Sequence, residues 1–162
     1  HKVIVWGSTL PSEERICIKL MSFFAESGIK NIVVPHEFEK SILPNELGRE
    51  DYVLYSQLQA DLASKNILII DKVGILKHLY SYAQVAVVGG GFDKIGIHSI
   101  IEPAVYGVEI AFGPNHRNYD EALDLLQLGA AHIFNDANEL KDIISSILIR
   151  SNAAAMSTAI RH

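Results

Sequence analysis

The feature that most constrains the fold is a series of short apolar runs without polar alternation. VAVV at 85–88 and ILII at 67–70 are apolar at every position, which is typical of parallel strands that helices cover on both faces. Strands are predicted at 2–6, 31–34, 67–70, 84–88, 109–112 and 131–134, with a weaker one at 51–55. Helical spacing predicts helices at 11–26, 74–83, 99–106, 119–128 and 138–160. We therefore predict a doubly wound α/β domain with a mainly parallel sheet.

The composition fits one soluble domain over residues 1–162. Of these residues 49% are hydrophobic and 20% are charged, and no repeat or linker interrupts them. The formal net charge of -5 and the absence of a Lys or Arg run argue against a nucleic-acid partner. No apolar stretch approaches the length of a membrane span. Because the chain starts at His1 and predicts a strand at once, we expect a fragment of a larger protein.

The stretch VGGGFDKIGIHSIIEP at 88–103 is the most informative one for function. In open α/β sheets, ligands bind beyond the carboxyl ends of the strands, and this stretch follows a predicted strand. The residues there that lack a Cβ, and so allow a close approach or a positive φ, are Gly89, Gly90, Gly91 and Gly96. A helix that opens near His98 or Ser99 would offer free amides and a positive dipole end. The stretch therefore predicts a phosphate-binding loop.

Glu102 in the same stretch has two interpretations. With Ser99 it forms the S-x-x-E pattern of a capping box, which only starts a helix. Alternatively, its carboxylate faces the ligand and accepts hydrogen bonds from ribose hydroxyls. The sequence leaves both interpretations open.

Other strand ends carry weaker candidates. Ser8 follows the first strand and either turns the chain or contacts a ligand. His36 follows the second strand and is either structural or a donor to a phosphate or base. Arg117 is either a partner for an anion or a solvated loop cation. Neither GxGxxG nor GxxxxGK[ST] follows the first strand, which argues against a nicotinamide enzyme and a P-loop protein.

Taken in order, these loops resemble the carboxyl-terminal half of a GT-B glycosyltransferase. Within that class they resemble the 3-deoxy-D-manno-octulosonic acid (Kdo) transferases, which add Kdo to lipid A. The resemblance runs from about Val3 to Ala155. The stretches that carry it are GST at 7–9, PHE at 35–37, DKVG at 71–74, VVGGGF at 87–92, GIHSIIEPAVYG at 96–107, FGPNHRNYDEA at 112–122 and GAA at 129–131.

The resemblance implies a Rossmann-like domain that holds the donor CMP-Kdo. It also implies that an amino-terminal half holds the lipid A precursor and the catalytic carboxylate. We therefore expect no catalytic residue, metal or cofactor in this chain, which alone would bind CMP weakly and catalyse nothing. The parent enzyme would lie at the cytoplasmic face of the bacterial inner membrane and act in lipopolysaccharide biosynthesis.

Roles for individual residues follow from the same resemblance. It implies that His36 lies near the donor and that Glu102 holds the ribose. It implies that the four glycines, with the amides of His98 and Ser99, cradle the phosphate. Asn118 matches an asparagine of unassigned role.

The chain also departs from the family pattern. The family often has Asn at the position of Ser99, Ser at that of Gly91, and Arg between Pro35 and His36. Where relatives have a G-E-M or G-E-L segment that faces the cytidine, this chain has Gly74-Ile75-Leu76. The base would then be read by backbone groups.

Two alternatives remain for the function. One is the donor domain of another GT-B glycosyltransferase with a different sugar nucleotide. The other is a non-catalytic Rossmann-like binding module.

Overall fold

A computed structural model describes residues 2–58, 64–116 and 119–160, with side chains of the last helix described as far as residue 154. The strands are β1 Lys2–Thr9, β2 Ile29–Pro35, β3 Tyr52–Leu54, β4 Ile67–Ile69, β5 Val85–Val88, β6 Glu109–Phe112 and β7 Ala131–Ile133. The helices are α1 Pro11–Lys19, α2 Met21–Glu26, α3 Leu43–Glu46, α4 Leu76–Leu79, α5 Ile101–Val105, α6 Asp120–Gln127 and α7 Ala137–Ile160. Short 3₁₀ turns lie at Phe38–Lys40, Tyr55–Gln57 and Tyr80–Tyr82.

The strands form one sheet in the order β3-β4-β2-β1-β5-β6-β7, and every neighbouring pair is parallel. The sheet contains all seven strands that the sequence predicts, including the weak one at the edge. The predicted doubly wound α/β fold is therefore confirmed.

The two faces of the sheet are covered by separate cores, as the run of apolar residues requires. Along β1, Trp6 packs into the core that contains Phe24 of α2 and Ile144 of α7. Its neighbour Val5 points into the opposite core, which contains Tyr80. Successive side chains of a strand point to opposite faces, so a strand in the middle of the sheet is buried on both sides. This arrangement explains why the apolar runs lack alternation.

Several helix bounds differ from the prediction. The helix predicted at 11–26 is two helices, because Leu20 leaves the helical conformation and separates α1 from α2. Its first residue is Pro11, and Ser12 lies within the first turn and caps nothing. Proline suits this first position, since its missing amide would have no helical partner there. The helix predicted at 99–106 begins two residues later, at Ile101.

The topological switch point lies between β1 and β5. From β1 the chain moves to β2 on one side, and it later returns to β5 on the other side. The connections therefore diverge at this point and leave a crevice at the carboxyl edge of the sheet. The crevice is the place where the sequence candidates converge.

Candidate functional site

A cleft of about 450 Å³ opens at the switch point. Its lining consists of Ser8, His36, Gly74, Leu76, Lys77, His98, Ser99 and Glu102. Six of these residues are sequence candidates, and they come from four different loops at the carboxyl edge. Two recesses adjoin the cleft, one of about 350 Å³ beside Asp71 and one of about 360 Å³ beside Tyr119. The fold thus assembles a continuous concave surface from distant parts of the chain.

The rings of His36 and His98 stack in this cleft. Their centroids are 4.4 Å apart and their planes are inclined by 25°. Burial, and then the neighbouring His36, lowers the pKa of His98, while Asp93 opposes the shift. At neutral pH the His98 imidazole is therefore neutral, and it can donate one N–H to an anionic oxygen. An anion in the cleft would favour protonation of His98.

Ser8 lies at an irregularity in β1, where the register with β2 shifts between Gly7 and Thr9. Its φ of 52° is in the left-handed region, which non-glycine residues rarely adopt. The bulge turns Ser8 out of the strand pairing so that it lines the cleft. Strain of this kind is common at ligand sites.

The glycine run lies behind the cleft and does not line it. A Cβ on Gly89 would overlap the Ser8 carbonyl oxygen and lie 2.8 Å from the Thr9 Cα. A Cβ on Gly90 would overlap the Gly96 carbonyl oxygen, and one on Gly91 would overlap a backbone nitrogen of the next strand's loop. The glycines are needed because three loops pack backbone against backbone at the ends of β1, β5 and β6.

The backbone amides of this stretch are largely occupied within the protein. The Gly89 amide donates to the Gly7 carbonyl at 2.9 Å, and the Gly96 amide donates to the Asp93 carbonyl at 3.1 Å. The Gly90 amide donates to the Glu13 carboxylate at 3.0 Å.

The His98 amide is also occupied, since it donates to the Gly89 carbonyl at 3.0 Å. The resemblance implies that the His98 amide helps to cradle a phosphate, but in this structure the loop uses that amide, like those of Gly89, Gly90 and Gly96, to hold its own shape. The Ser99 amide makes no hydrogen bond within residues 2–58, 64–116 and 119–160.

The capping-box interpretation of Ser99 and Glu102 is wrong. Ile100 occupies the N-cap position of α5, and no side chain caps this helix end. Because the helix starts late, Ser99 precedes the cap, and Glu102 lies in the first turn with its side chain exposed along the cleft. Burial, and secondarily the Glu102 charge, raises the pKa of Tyr80 beneath it.

Sequence reasoning missed Leu76 and Lys77, which line the cleft from α4. The predicted helix at 74–83 did not show which of its faces would meet the crevice. Lys77 matters because it adds a cation to a cleft in an acidic domain. Arg117 and Asn118, two further candidates, lie outside the described residues.

The described part of the chain holds no cluster of His, Cys, Asp and Glu arranged to bind a metal ion. Nor does it contain a helix that is long and apolar enough to cross a membrane. The chemistry of the cleft is that of an anion and polyol site, with imidazole, ammonium and hydroxyl groups beside one carboxylate.

No family model matches the chain. The chain is 33% identical over 147 residues to a 3-deoxy-D-manno-octulosonic acid transferase of Chlamydophila psittaci, a match that covers 88% of this chain and 34% of that protein. It is 30% identical over 164 residues to the transferase of the same name from Rickettsia prowazekii, with coverages of 98% and 35%. A bifunctional glycosyltransferase/methyltransferase of Fusobacterium nucleatum is 30% identical over 162 residues, with coverages of 94% and 24%. The chain thus spans about a third or less of the length of these relatives.

A solved structure is similar over nearly the whole chain. It is the carboxyl-terminal CMP-Kdo binding domain of WaaA from Acinetobacter baumannii, with a TM-score of 0.82 and 28% sequence identity. The match covers 98% of this chain and 86% of that domain. Sequence and fold agree with the resemblance found in the loops, and this chain is a homologue of the carboxyl-terminal domain of the Kdo transferases.

Proposed function

We propose that this chain is the donor-binding half of a Kdo transferase and that its cleft binds CMP-Kdo. The observation that carries the proposal is the cleft at the switch point, where His36, His98, Ser99 and Glu102 meet. The similar domain from Acinetobacter baumannii is named for CMP-Kdo binding. In the whole enzyme, Kdo would pass to a lipid A precursor held by another domain.

The chemistry of the cleft fits the parts of such a donor. The Glu102 carboxylate can accept hydrogen bonds from both hydroxyls of a ribose. The imidazoles of His36 and His98 and the Lys77 ammonium can donate to phosphate oxygens. The recess beside Asp71 has room for a base near Gly74, where backbone groups are accessible.

These groups would also assist the reaction. Transfer breaks the bond between the anomeric carbon of Kdo and a phosphate oxygen, and CMP leaves with the electron pair. Donors aimed at that oxygen stabilise the charge that develops on it. The acceptor hydroxyl must lose its proton to a base, and we propose that the base belongs to the other domain. The domain alone then binds nucleotide without turnover.

We further propose that the parent enzyme works at the cytoplasmic face of the bacterial inner membrane. The reason is chemical, since a lipid acceptor is held in a membrane. The relatives are longer than this chain, and we propose that the part of the parent enzyme corresponding to their additional residues contacts the membrane.

A calorimetric titration of this chain with CMP, UMP, GMP and NAD tests the proposal. We expect CMP to bind best, and the Glu102→Ala variant to lose about tenfold in affinity because the ribose loses its acceptor. The matched control is Glu26→Ala, which removes an exposed carboxylate at the end of α2. We expect it to leave the affinity unchanged.

Two outcomes would contradict the proposal. Preference for UMP or GMP would assign the cleft to a different sugar nucleotide. Equal and weak binding of all four nucleotides, unaffected by Glu102→Ala, would favour a non-catalytic module.

A further inference from the structure

We infer that Glu13 and Glu14, two adjacent buried carboxylates in the first turn of α1, are positioning residues that each hold one of the two loops carrying the stacked histidines. Both side chains are almost fully buried, at 0% and 1% exposure. Neither lines the cleft, so neither can touch a ligand directly. The effect on nucleotide binding rests on the proposed function, whereas the effect on the histidines does not.

Glu13 connects α1 to the loop that carries His98. One of its carboxylate oxygens accepts the Gly90 amide at 3.0 Å, and the other accepts the Leu10 amide at 2.9 Å. The carbonyl of Gly89, next to the bound glycine, accepts the His98 amide at 3.0 Å. The position of His98 is thus two short hydrogen-bonded steps from the Glu13 carboxylate.

Glu14 connects α1 to the end of β2, which carries His36. Its carboxylate accepts the Thr9 hydroxyl at 3.0 Å, and the Thr9 carbonyl accepts the His36 amide at 2.9 Å. On the far side of His36, the same carboxylate accepts the Ser41 hydroxyl at 3.0 Å and the Ile42 amide at 2.8 Å. The segment from His36 to Ile42 is therefore held at both of its ends.

The two paths are separate because consecutive residues of a helix point about 100° apart. From one turn of α1, Glu13 reaches toward β5 and Glu14 reaches toward β2. A carboxylate suits this role better than a neutral group, since each can accept several donors at once. The first turn of a helix also favours a negative charge.

If Glu13 and Glu14 only stabilised the fold, they would not need to hold the two loops that carry His36 and His98. The two imidazoles lie on loops that follow different strands, β2 and β5, and their centroid distance of 4.4 Å holds only if both backbones stay in place. Binding sites need their groups within about 0.5 Å of the productive geometry. Loss of either carboxylate should therefore open the stack before it unfolds the domain.

The variants Glu13→Gln and Glu14→Gln test the inference. Each keeps the shape of the side chain but turns one accepting oxygen into an NH₂ group. At Glu13 this group faces a backbone amide, which can only donate. At Glu14 it can face the hydroxyl of Thr9 or Ser41, which can also accept, so the smaller effect is expected from Glu14→Gln. We expect the nuclear Overhauser contact between the two imidazoles to weaken. We also expect the pKa of His98 to rise toward its ordinary value, since an opened stack reduces its burial first and the influence of His36 second, while Asp93 stays. The affinity for CMP should fall about tenfold.

Glu139→Gln is the matched control. Glu139 also lies in the first turn of a helix and accepts a backbone amide, that of Asn135, at 2.7 Å. Its carboxylate also accepts the side-chain amide of Asn135, and neither contact leads to a histidine loop. This variant should leave the imidazole contact, the pKa of His98 and the CMP affinity unchanged.

A milder variant keeps the test open if the Gln variants do not fold. Thr9→Val preserves shape and removes only the hydroxyl that joins Thr9 to Glu14. Because the Thr9 carbonyl holds the His36 backbone, this variant should displace His36 and weaken the contact between the two imidazoles. Folded variants with an intact stack and unchanged CMP affinity would overturn the inference. A lost stack in a chain that binds no nucleotide would contradict the proposed function and leave the positioning role standing.

Discussion

The two edges of the sheet use the same residue types in opposite ways. At the amino edge, Glu109 accepts from Arg150 at 2.7 Å and lies 2.7 Å from the His132 Nε2. At the carboxyl edge, the carboxylates of Glu13 and Glu14 are occupied by backbone amides and hydroxyls. Within the described part of the chain, neither cleft histidine bonds to a carboxylate.

The difference shows what distinguishes a structural cluster of ion pairs from a binding site. At the amino edge the charged groups satisfy one another, and the cluster joins α7 to β6 and β7. At the carboxyl edge Glu13 and Glu14 are directed inward and Glu102 bonds to neither cleft histidine, so the imidazoles and Lys77 remain available to an external anion. Charged residues point to function where their own protein leaves them without a partner of opposite charge.

The largest effect is expected from a glycine at the carboxyl edge. In Gly89→Ala the new methyl group meets the backbone of Ser8 and Thr9, which cannot rotate away. We expect a loss of about 3 kcal/mol in the free energy of unfolding, or failure to fold. Chemical denaturation measures it.

Gly129→Ala is the control for this glycine, placed just before β7 at the amino edge. Gly129 has a φ of 70°, but a Cβ there would meet no atom within 4 Å. The expected cost is the left-handed strain alone, about 1 kcal/mol. Equal costs at the two positions would show that the close contacts with Ser8 and Thr9 do not set the cost at Gly89, whose φ is not in the left-handed region.

A middle effect is expected from Lys77. If its ammonium meets the donor phosphate, Lys77→Met should weaken CMP binding about tenfold and leave cytidine binding unchanged. The affinity of the variant should also depend less on salt. Calorimetry with both ligands at two salt concentrations measures this.

Lys72→Met is the control, since Lys72 lines only the recess beside the main cleft. It should change neither affinity. The reverse result, with Lys72→Met selective against CMP, would place the phosphate in that recess and contradict our orientation of the nucleotide.

The sequence predicts the strands well and the helix ends poorly. A central parallel strand such as VAVV at 85–88 needs apolar residues on both faces, and a run of four such residues between turn signals is typical of little else. The start of α5 depends instead on where the loop before it runs. The His98 amide is held by Gly89, and this delays the helix past Ser99. Such a contact is not local in sequence.

The candidate site is predictable in position but not in detail. Strand ends meet at one edge, and this brought His36, His98 and Glu102 together as expected. The glycines at 89–91 indicate that something packs too closely against the backbone to leave room for a Cβ. The sequence does not say whether that neighbour is a ligand or another loop. Glu13 and Glu14 gave no signal of burial, since acidic residues in a first helical turn are usually explained by the dipole.

The smallest effect is expected in the pH dependence of stability, where His98 at the carboxyl edge and Glu109 at the amino edge contribute in different pH ranges. The pKa of His98 is lowered in the folded state, so the unfolded state binds more protons there, and stability falls as the pH drops below about 6.5. The pKa of Glu109 is also lowered, although burial opposes it, because His132 and Arg150 donate to the carboxylate. Its contribution is present above about 4.3 and is lost as the pH falls through the folded value. His98→Gln should therefore flatten the stability profile near pH 6, and Glu109→Gln should flatten it only below about pH 4.5. Urea denaturation at a series of pH values measures both profiles. If both variants changed the same pH range, the two edges would be electrostatically coupled, and the contrast between an internally neutralised edge and an open one would fail.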